Sequence, residues 1–392
     1  MFARLNLRSL TPYRLLVAVL AGAVLLTAGA PAASGTPPGR KLYVTNGDTN
    51  DISIFDLDAD GRPVPGPALF ATGRQARGIV FTPDGRTAYV VAGAENKVYQ
   101  YRVRPDGTLT SLAPPVPTGA GAFGIAVAPS GRTVYVTAVE AGTVTSFSVG
   151  DDGKLGVGKD VPTGKDSPRG VTLTPDGRFL YVSHGRPAVT PDTGPPGFVV
   201  VFAVDAKGEP VGPGRPFPVE RGGLGLSVTP DGRFLYVACE VLTSVSPRQL
   251  FGFRIDADGG LTTQVPGSPF RAPDVPVGTA VTRDGQRLYV TSGGLNNTPE
   301  LATKVWGFSI DRYGSLAPLP GSPYTAGPGP TGIALSPDGR RAYVSTLGRI
   351  DRPGSELVPF AIGGDGRLIP LGGPVLTGGV RSLFQSVALP PR

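Results

Sequence analysis

The chain has 392 residues, with one cysteine, one histidine and a formal net charge of +7. A single cysteine excludes an intramolecular disulfide, and a chain of this length can bury a core without one. Lysine and arginine are scattered singly and are not clustered with aromatic residues, so we predict no nucleic-acid partner.

The first segment has the composition of a secretory signal peptide. Arg4, Arg8 and Arg14 precede an apolar run at 15–30, and small residues surround Pro31. Because the run is short for a permanent anchor, we expect residues 1–32 to be removed and the protein to be secreted, extracellular or attached to the cell envelope. Residues 33–40 would form a short linker. No later run is long and apolar enough to span a membrane, and the mature chain would carry a charge of +4.

A Tyr-Val dipeptide recurs through the rest of the chain. The seven copies are 46 to 55 residues apart and begin at Tyr43, Tyr89, Tyr135, Tyr181, Tyr236, Tyr289 and Tyr343. A fixed period of this length is the signature of a repeat architecture, and alternating β-branched and aromatic residues mark strands within each copy. The sequence therefore predicts an all-β fold over residues 41–392, a seven-bladed β-propeller with four-stranded blades.

Two turns punctuate each repeat. The first has the form Thr-Pro-Asp-Gly-Arg, as at 82–86, where proline presets φ and glycine tolerates positive φ. The second contains glycine in every copy, at Gly61, Gly107, Gly153, Gly208, Gly259, Gly314 and Gly366. These turns predict two hairpins per blade, which point to the same face of the ring.

The two ends of the chain hold complementary parts of one repeat. The chain enters the first repeat at its second strand, 41–46, and residues 384–390 form a first strand with no hairpin after it. We expect the C-terminal strand to pair with the N-terminal blade and close the ring, because an open sheet edge invites aggregation.

The face opposite the hairpins is the expected binding face, because its loops are longer in the last four repeats. These loops cover 184–197, 239–249, 292–304 and 346–356. Loops on a rigid scaffold carry binding residues, so we predict an unknown small molecule or a cell-envelope or protein partner there. The protein is expected to be a monomer. Glycine begins most first strands, which lets backbones crowd at the ring centre, and Arg77, Phe123 and Arg169 precede three of these glycines at the channel rim.

Four residues of this face are candidate catalytic residues: His184, Glu240, Arg169 and Arg221. His184 is either a general acid or base or a loop residue with local hydrogen bonds. Glu240 would activate water while Arg169 or Arg221 holds an oxyanion, unless the charges form a solvated pair.

Other candidates carry less chemistry. Cys239 is expected to be a small buried residue, with a nucleophilic role activated by His184 as the alternative. Residues 56–61 have the rhythm of a calcium loop, but Pro67 stands where a ligating glutamate is needed, so we interpret them as a turn. One histidine and one cysteine do not make a zinc site. We predict no cofactor and no metal.

The repeats resemble a known family of propellers. Residues 42–46 (LYVTN), 174–182 and 229–237 (TPDGRFLYV), 265–270 (VPGSPF) and 319–324 (LPGSPY) are similar to the YVTN-type seven-bladed propellers of the lactonase-like group. That group includes 6-phosphogluconolactonase and carboxymuconate-cyclising enzymes, and the resemblance covers the whole mature chain.

The resemblance also implies where a site would lie. Lactonase members carry Pro-Arg-His at the start of a first strand and Asn-Glu after a second strand. Here these segments are Pro168-Arg169-Gly170 and Cys239-Glu240, so half of each motif is kept. Non-enzymatic members have Pro-x-Gly at the first segment, as this chain does. We therefore expect a secreted binding or scaffold protein, with a hydrolase or isomerase of a small lactone or sugar acid as the alternative.

Overall fold

The computed structural model describes residues 40–186, 196–241, 248–272, 275–293, 303–348 and 354–391. The signal peptide and most residues of the long loops lie outside these ranges. The signal peptide and the binding role of the long loops therefore stay predictions. The described strands all lie within one compact unit, Pro38–Arg392. In these six ranges every regular element is a strand, and no helix is present that is long and apolar enough to cross a membrane.

The strands form seven sheets in chain order. Blade 1 begins with β1 (Lys41–Asn46), β2 (Asp51–Asp56) and β3 (Ala68–Ala71). Blades 2 and 3 consist of β4 (Ala76–Phe81), β5 (Thr87–Ala92), β6 (Lys97–Val103), β7 (Leu109–Pro117), β8 (Ala122–Val127), β9 (Thr133–Ala138), β10 (Thr143–Ser148) and β11 (Lys159–Pro162). Blade 4 consists of β12 (Pro168–Leu173), β13 (Phe179–His184), β14 (Gly197–Val204) and β15 (Pro210–Val219). All pairings within the sheets are antiparallel, as the predicted hairpins require.

In the last three blades, two short strands share the outermost position. Blade 5 consists of β16 (Gly223–Val228), β17 (Phe234–Cys239), β18 (Arg248–Arg254), β19 (Thr263–Gln264) and β20 (Phe270–Arg271). Blade 6 consists of β21 (Pro276–Val281), β22 (Arg287–Ser292), β23 (Lys304–Ile310), β24 (Leu316–Pro318) and β25 (Tyr324–Thr325). Blade 7 consists of β26 (Pro330–Leu335), β27 (Arg341–Thr346), β28 (Glu356–Ile362), β29 (Leu368–Pro370) and β30 (Val375–Leu376). The predicted seven blades of four strand positions are confirmed.

The last strand closes the ring. β31 (Val387–Ala388) pairs with β1, with Val44 opposite Val387 and Tyr43 opposite Ala388. The predicted closure is confirmed, because the C-terminal segment supplies the innermost strand of blade 1.

The hydrophobic core lies between the blades. Each pair of neighbouring blades encloses a cluster of buried side chains, including the pair formed by blades 7 and 1, where Leu42 and Val44 meet Tyr343. Strands such as β5 and β9 are buried at every residue, because both faces of an inner strand pack against a neighbouring sheet. This explains why these strands consist of apolar residues and threonine, whereas the outer strand β3 is exposed at most positions.

The repeated tyrosine connects each blade to the next. Tyr43 donates its hydroxyl hydrogen to the carbonyl of Gly107 at 2.5 Å, and Tyr343 donates to Gly61 at 2.7 Å. The other five repeat tyrosines make the same bond to the second-turn glycine of the following blade. All seven tyrosines are buried, so the hydroxyl is the group that keeps the turn carbonyl satisfied.

We expect Tyr343→Phe to destabilise the propeller by about 1 to 2 kcal/mol, because it leaves the Gly61 carbonyl without its donor at the junction of blades 7 and 1. Urea unfolding of the purified protein measures this. Tyr313→Phe is the control, since Tyr313 is 56% exposed. Equal stability of the two variants would mean that the ring of tyrosine bonds adds nothing to closure.

Candidate functional site

A cavity of about 650 Å³ opens on the face that carries the loops between second and third strands. Blades 2, 3 and 4 line it. The larger side chains around it are those of Gln75, Arg77, Phe123, Glu140, Asp166, Arg169 and Arg186. The volume lies within the range of about 300 to 1,000 Å³ that small-molecule sites occupy.

An apolar cluster borders the cavity towards the centre of the ring. Phe123 packs against Phe384 with ring centroids 6.1 Å apart, and Leu224, Val275 and Val277 complete the cluster. Gln385 lies beside it and accepts a hydrogen bond from the backbone of blade 3, at Ile125, over 3.1 Å. The C-terminal segment therefore both closes the ring and fills part of its centre.

Arg169 and Glu240 form an ion pair at the edge of this cavity. Arg169 is the second residue of β12, and Glu240 directly follows β17 of the next blade. Nη1 of Arg169 lies 2.5 Å from Oε2 of Glu240, and the two side chains are 11% and 15% exposed. The guanidinium also lies over the ring of Phe123, with Cζ 5.0 Å from the centroid. The structure therefore brings together two of the four candidate residues from different blades.

His184 lies behind the cavity and does not line it. It is 1% exposed, and its Nδ1 lies 3.1 Å from the carbonyl oxygen of Asp166. Since a carbonyl accepts, the neutral ring carries its proton on Nδ1, and Nε2 is buried without a hydrogen-bond partner. Burial lowers the pKa of His184 to about 4. The ring is neutral at pH 7 and holds the backbone of a cavity residue, Asp166.

The fourth candidate catalytic residue, Arg221, lies nearby on blade 5, as does Cys239. Arg221 precedes β16, and its backbone N–H donates to Oε1 of Glu220 at 3.2 Å. Gly222, the next residue, accepts a bond from the backbone of Glu240 at 2.8 Å. Cys239 is fully buried in the cluster between blades 4 and 5, and burial raises the pKa of its thiol. The thiol is therefore protonated at neutral pH, as expected for a small packed residue.

Sequence reasoning missed the part of the site that comes from the turns before the inner strands. Gln75 and Ser167 both have a left-handed backbone, with φ of 57° and 54°, and both line the cavity. Arg77 and Arg169 each lie two residues further along the chain, and both line the same cavity. The sequence predicts Arg77, Phe123 and Arg169 at the channel rim, each directly before a first-strand glycine, but it gives no such signal for Gln75 and Ser167.

Residues 56–61, which have the rhythm of a calcium loop, form part of a turn. Asp58 accepts a hydrogen bond from the backbone of Arg62 at 2.8 Å. In the ranges that the structure describes, no three acidic, histidine or cysteine side chains are grouped to hold a metal ion.

The closed ring of seven sheets defines the fold class as a seven-bladed β-propeller, with an ion-paired polar cavity on its loop face. Residues 31–188 match the family model described as lactonase, 7-bladed beta-propeller. This match and the fold confirm the resemblance that the repeats indicate. Comparison with curated proteins finds no match.

Solved structures share the fold at low sequence identity. A putative 6-phosphogluconolactonase from Bacteroides fragilis is 19% identical, with a TM-score of 0.70 over 91% of this chain and 99% of that one. A periplasmic gluconolactonase from Pseudomonas aeruginosa is 22% identical, with a TM-score of 0.68 over 89% and 98%. Hydrazine synthase from Kuenenia stuttgartiensis is also similar, at 19% identity and a TM-score of 0.60 over 79% and 90%. Because proteins with such different names share this fold, the function of this chain must be argued from its site.

Proposed function

We propose that this protein binds a small lactone in the cavity over blades 2 to 4 and opens it by hydrolysis. The observation that carries the proposal is the Arg169–Glu240 pair, 2.5 Å apart and mostly buried at the cavity edge. The family match supports the same class of reaction. The low identity of the solved gluconolactonases leaves the substrate to experiment.

In the proposed reaction, the oxygen of a water molecule bonds to the lactone carbonyl carbon and the ring C–O bond breaks. The ring oxygen leaves as a hydroxyl after taking a proton, and the product is a hydroxy acid. The Arg169 guanidinium would stabilise the oxyanion that forms on the carbonyl oxygen. Glu240 would fix that guanidinium and balance its charge. Asp166 lines the cavity and would take the proton from water, with His184 holding its backbone.

We expect Glu240→Gln to lower kcat/KM for lactone opening by roughly 10- to 100-fold, because Arg169 loses the carboxylate that orients it. The measurement is proton release by the purified protein against a panel of sugar and aliphatic lactones, with spontaneous opening subtracted. Asp365→Asn is the matched control, since Asp365 also pairs with an arginine, Arg367 at 3.0 Å, but in an exposed turn on the opposite face.

Activity that is absent in the wild type, or equal in Glu240→Gln and Asp365→Asn, would contradict the proposed hydrolysis. Circular dichroism of both variants confirms that a lost rate is not lost folding.

A binding role is the second candidate, and one observation favours it. Where lactonase members carry histidine, this chain has Gly170, and an added Cβ there would overlap the carbonyl oxygen of Leu224. The neighbouring blade therefore occupies the space that a catalytic side chain would need. Under this proposal the exported protein uses the same loop face, including the long loops outside the described residues, to hold a ligand or an envelope partner without turnover.

A further inference from the structure

Arg77 is a cation at the cavity without an ion-pair partner among the described residues. It lies on β4 of blade 2, and its Cζ is 4.5 Å from the ring centroid of Phe123. Its Nε is buried and has no hydrogen-bond partner. In the described ranges no carboxylate lies within ion-pair distance of its guanidinium, although Glu140 and Asp166 line the same cavity.

The charged neighbours of Arg77 are themselves cations. Arg169 and Arg381 both act on it, and burial together with these two like charges lowers the pKa of Arg77 to about 10. The group remains protonated at neutral pH. Each neighbour has a carboxylate of its own, since Arg169 pairs with Glu240 at 2.5 Å and Arg381 with Asp48 at 3.6 Å. Of these three arginines, only Arg77 has no carboxylate partner among the described residues.

Phe123 fixes the position of this charge. Both guanidiniums, of Arg77 and Arg169, lie within 5.0 Å of the centroid of its ring, so the aromatic side chain holds two cations at the cavity wall. A guanidinium that lines the cavity, is held by its ring contact and has no carboxylate partner among the described residues can bind an oxyanion through charge-assisted hydrogen bonds.

We propose that Arg77 is the specificity-determining residue of this cavity and that the ligand carries an oxyanion, a carboxylate or a phosphate, which Arg77 binds. Arg169 then faces the uncharged, reacting end of the same molecule. The inference rests on the proposed function for the choice of cavity, but it requires binding and not turnover.

Three sugars that differ at one position test this inference and separate the two sources of the anion. Isothermal titration compares D-glucuronate, D-glucose 6-phosphate and D-glucose, which carry a carboxylate, a phosphate and a neutral hydroxymethyl group. We expect at least one charged sugar to bind the wild type about tenfold or more tighter than glucose. The tighter of the two identifies the anion.

Variants at Arg77 assign that preference to the residue. Arg77→Gln is expected to remove most of the advantage of the charged sugar, and Arg77→Lys to keep part of it. Arg104→Gln is the matched control, because Arg104 is an exposed arginine of the same blade at the opposite face. Since Arg77 has cations as neighbours, Arg77→Gln is not expected to lower the melting temperature of the free protein, which checks that the variant folds.

Two outcomes would overturn the inference: charged sugars that bind no tighter than glucose, and a preference that survives Arg77→Gln. Arg77-dependent binding without lactone opening would leave this inference standing and count against the proposed hydrolysis. Lactone opening at a rate that does not depend on the charge of the sugar would support the proposed hydrolysis and count against this inference.

Discussion

Gly170→Ala is expected to destabilise the propeller by more than about 3 kcal/mol, the largest stability effect that we predict for one methyl group. An added Cβ at Gly170 would overlap the carbonyl oxygen of Leu224, on the inner strand of the next blade. Backbone atoms on both sides are held in place, because Gly170 donates its N–H to Ser183 at 2.9 Å and Ser183 donates its hydroxyl to Leu224 at 2.9 Å. Neither blade can move away without breaking this bridge.

Guanidinium unfolding measures the loss, with Gly364→Ala as the control. Gly364 has open space around its Cβ position and is exposed in a turn, so its substitution should change the free energy of unfolding little. A Gly170→Ala protein as stable as Gly364→Ala would show that the blades are not packed backbone against backbone at the ring centre.

The same contact leaves no room for a side chain at the position where the lactonase motif has histidine. Arg169 lines the cavity, whereas a Cβ at the next position would meet the neighbouring strand. We infer that placing histidine at 170 would not restore a lactonase site in this chain, since the blade spacing around Gly170 leaves no room for a side chain.

The fold could be predicted because every repeat contains the same local chemistry. In the first turn of blade 2, Thr82 donates to Asp84 at 2.6 Å and Gly85 has a φ of 68°, so proline, aspartate and glycine each have the role that the motif implies. Five of the seven Tyr-Val pairs are followed by Ser or Thr, and the sequence alone predicts no role for this residue. Its role as a bridge between inner strands, as at Thr137 and Ser183, depends on a partner in another blade.

The site could be predicted only in part, for a physical reason. Arg169 and Glu240 are 71 positions apart, and their contact follows from blade order once the repeat is known. The lack of an ion-pair partner for Arg77 does not follow from blade order. It depends on which carboxylates are close enough to Arg77 and which are already paired with other arginines. The role of His184 depends on its burial. In the sequence His184 begins a long loop, which suggests an exposed side chain, whereas in the structure the side chain is buried.

His184 is expected to make the stability of this protein depend on pH. Its pKa in the folded chain is about 4, below the value of 6.5 that the model compound has. A depressed histidine pKa means that the unfolded chain binds a proton between these values and the folded chain does not, so stability is full above pH 6.5 and falls as the pH drops towards 4. We expect a loss of about 2 kcal/mol between pH 7.5 and pH 5.

The chain contains one histidine, so the assignment is direct. Urea unfolding at pH 7.5 and pH 5 measures the loss, and His184→Asn is the matched variant because the equivalent residue of blade 1 is Asn46, which is buried at the end of β1. The variant should be less stable at pH 7.5 but should lose little more on acidification, since the aspartates whose pKa is lowered titrate below this range. A wild-type stability that stays flat from pH 7.5 to pH 5 would mean that His184 takes up its proton in the folded state. The general-base role considered from the sequence would then gain support over the positioning role that the buried, neutral ring indicates.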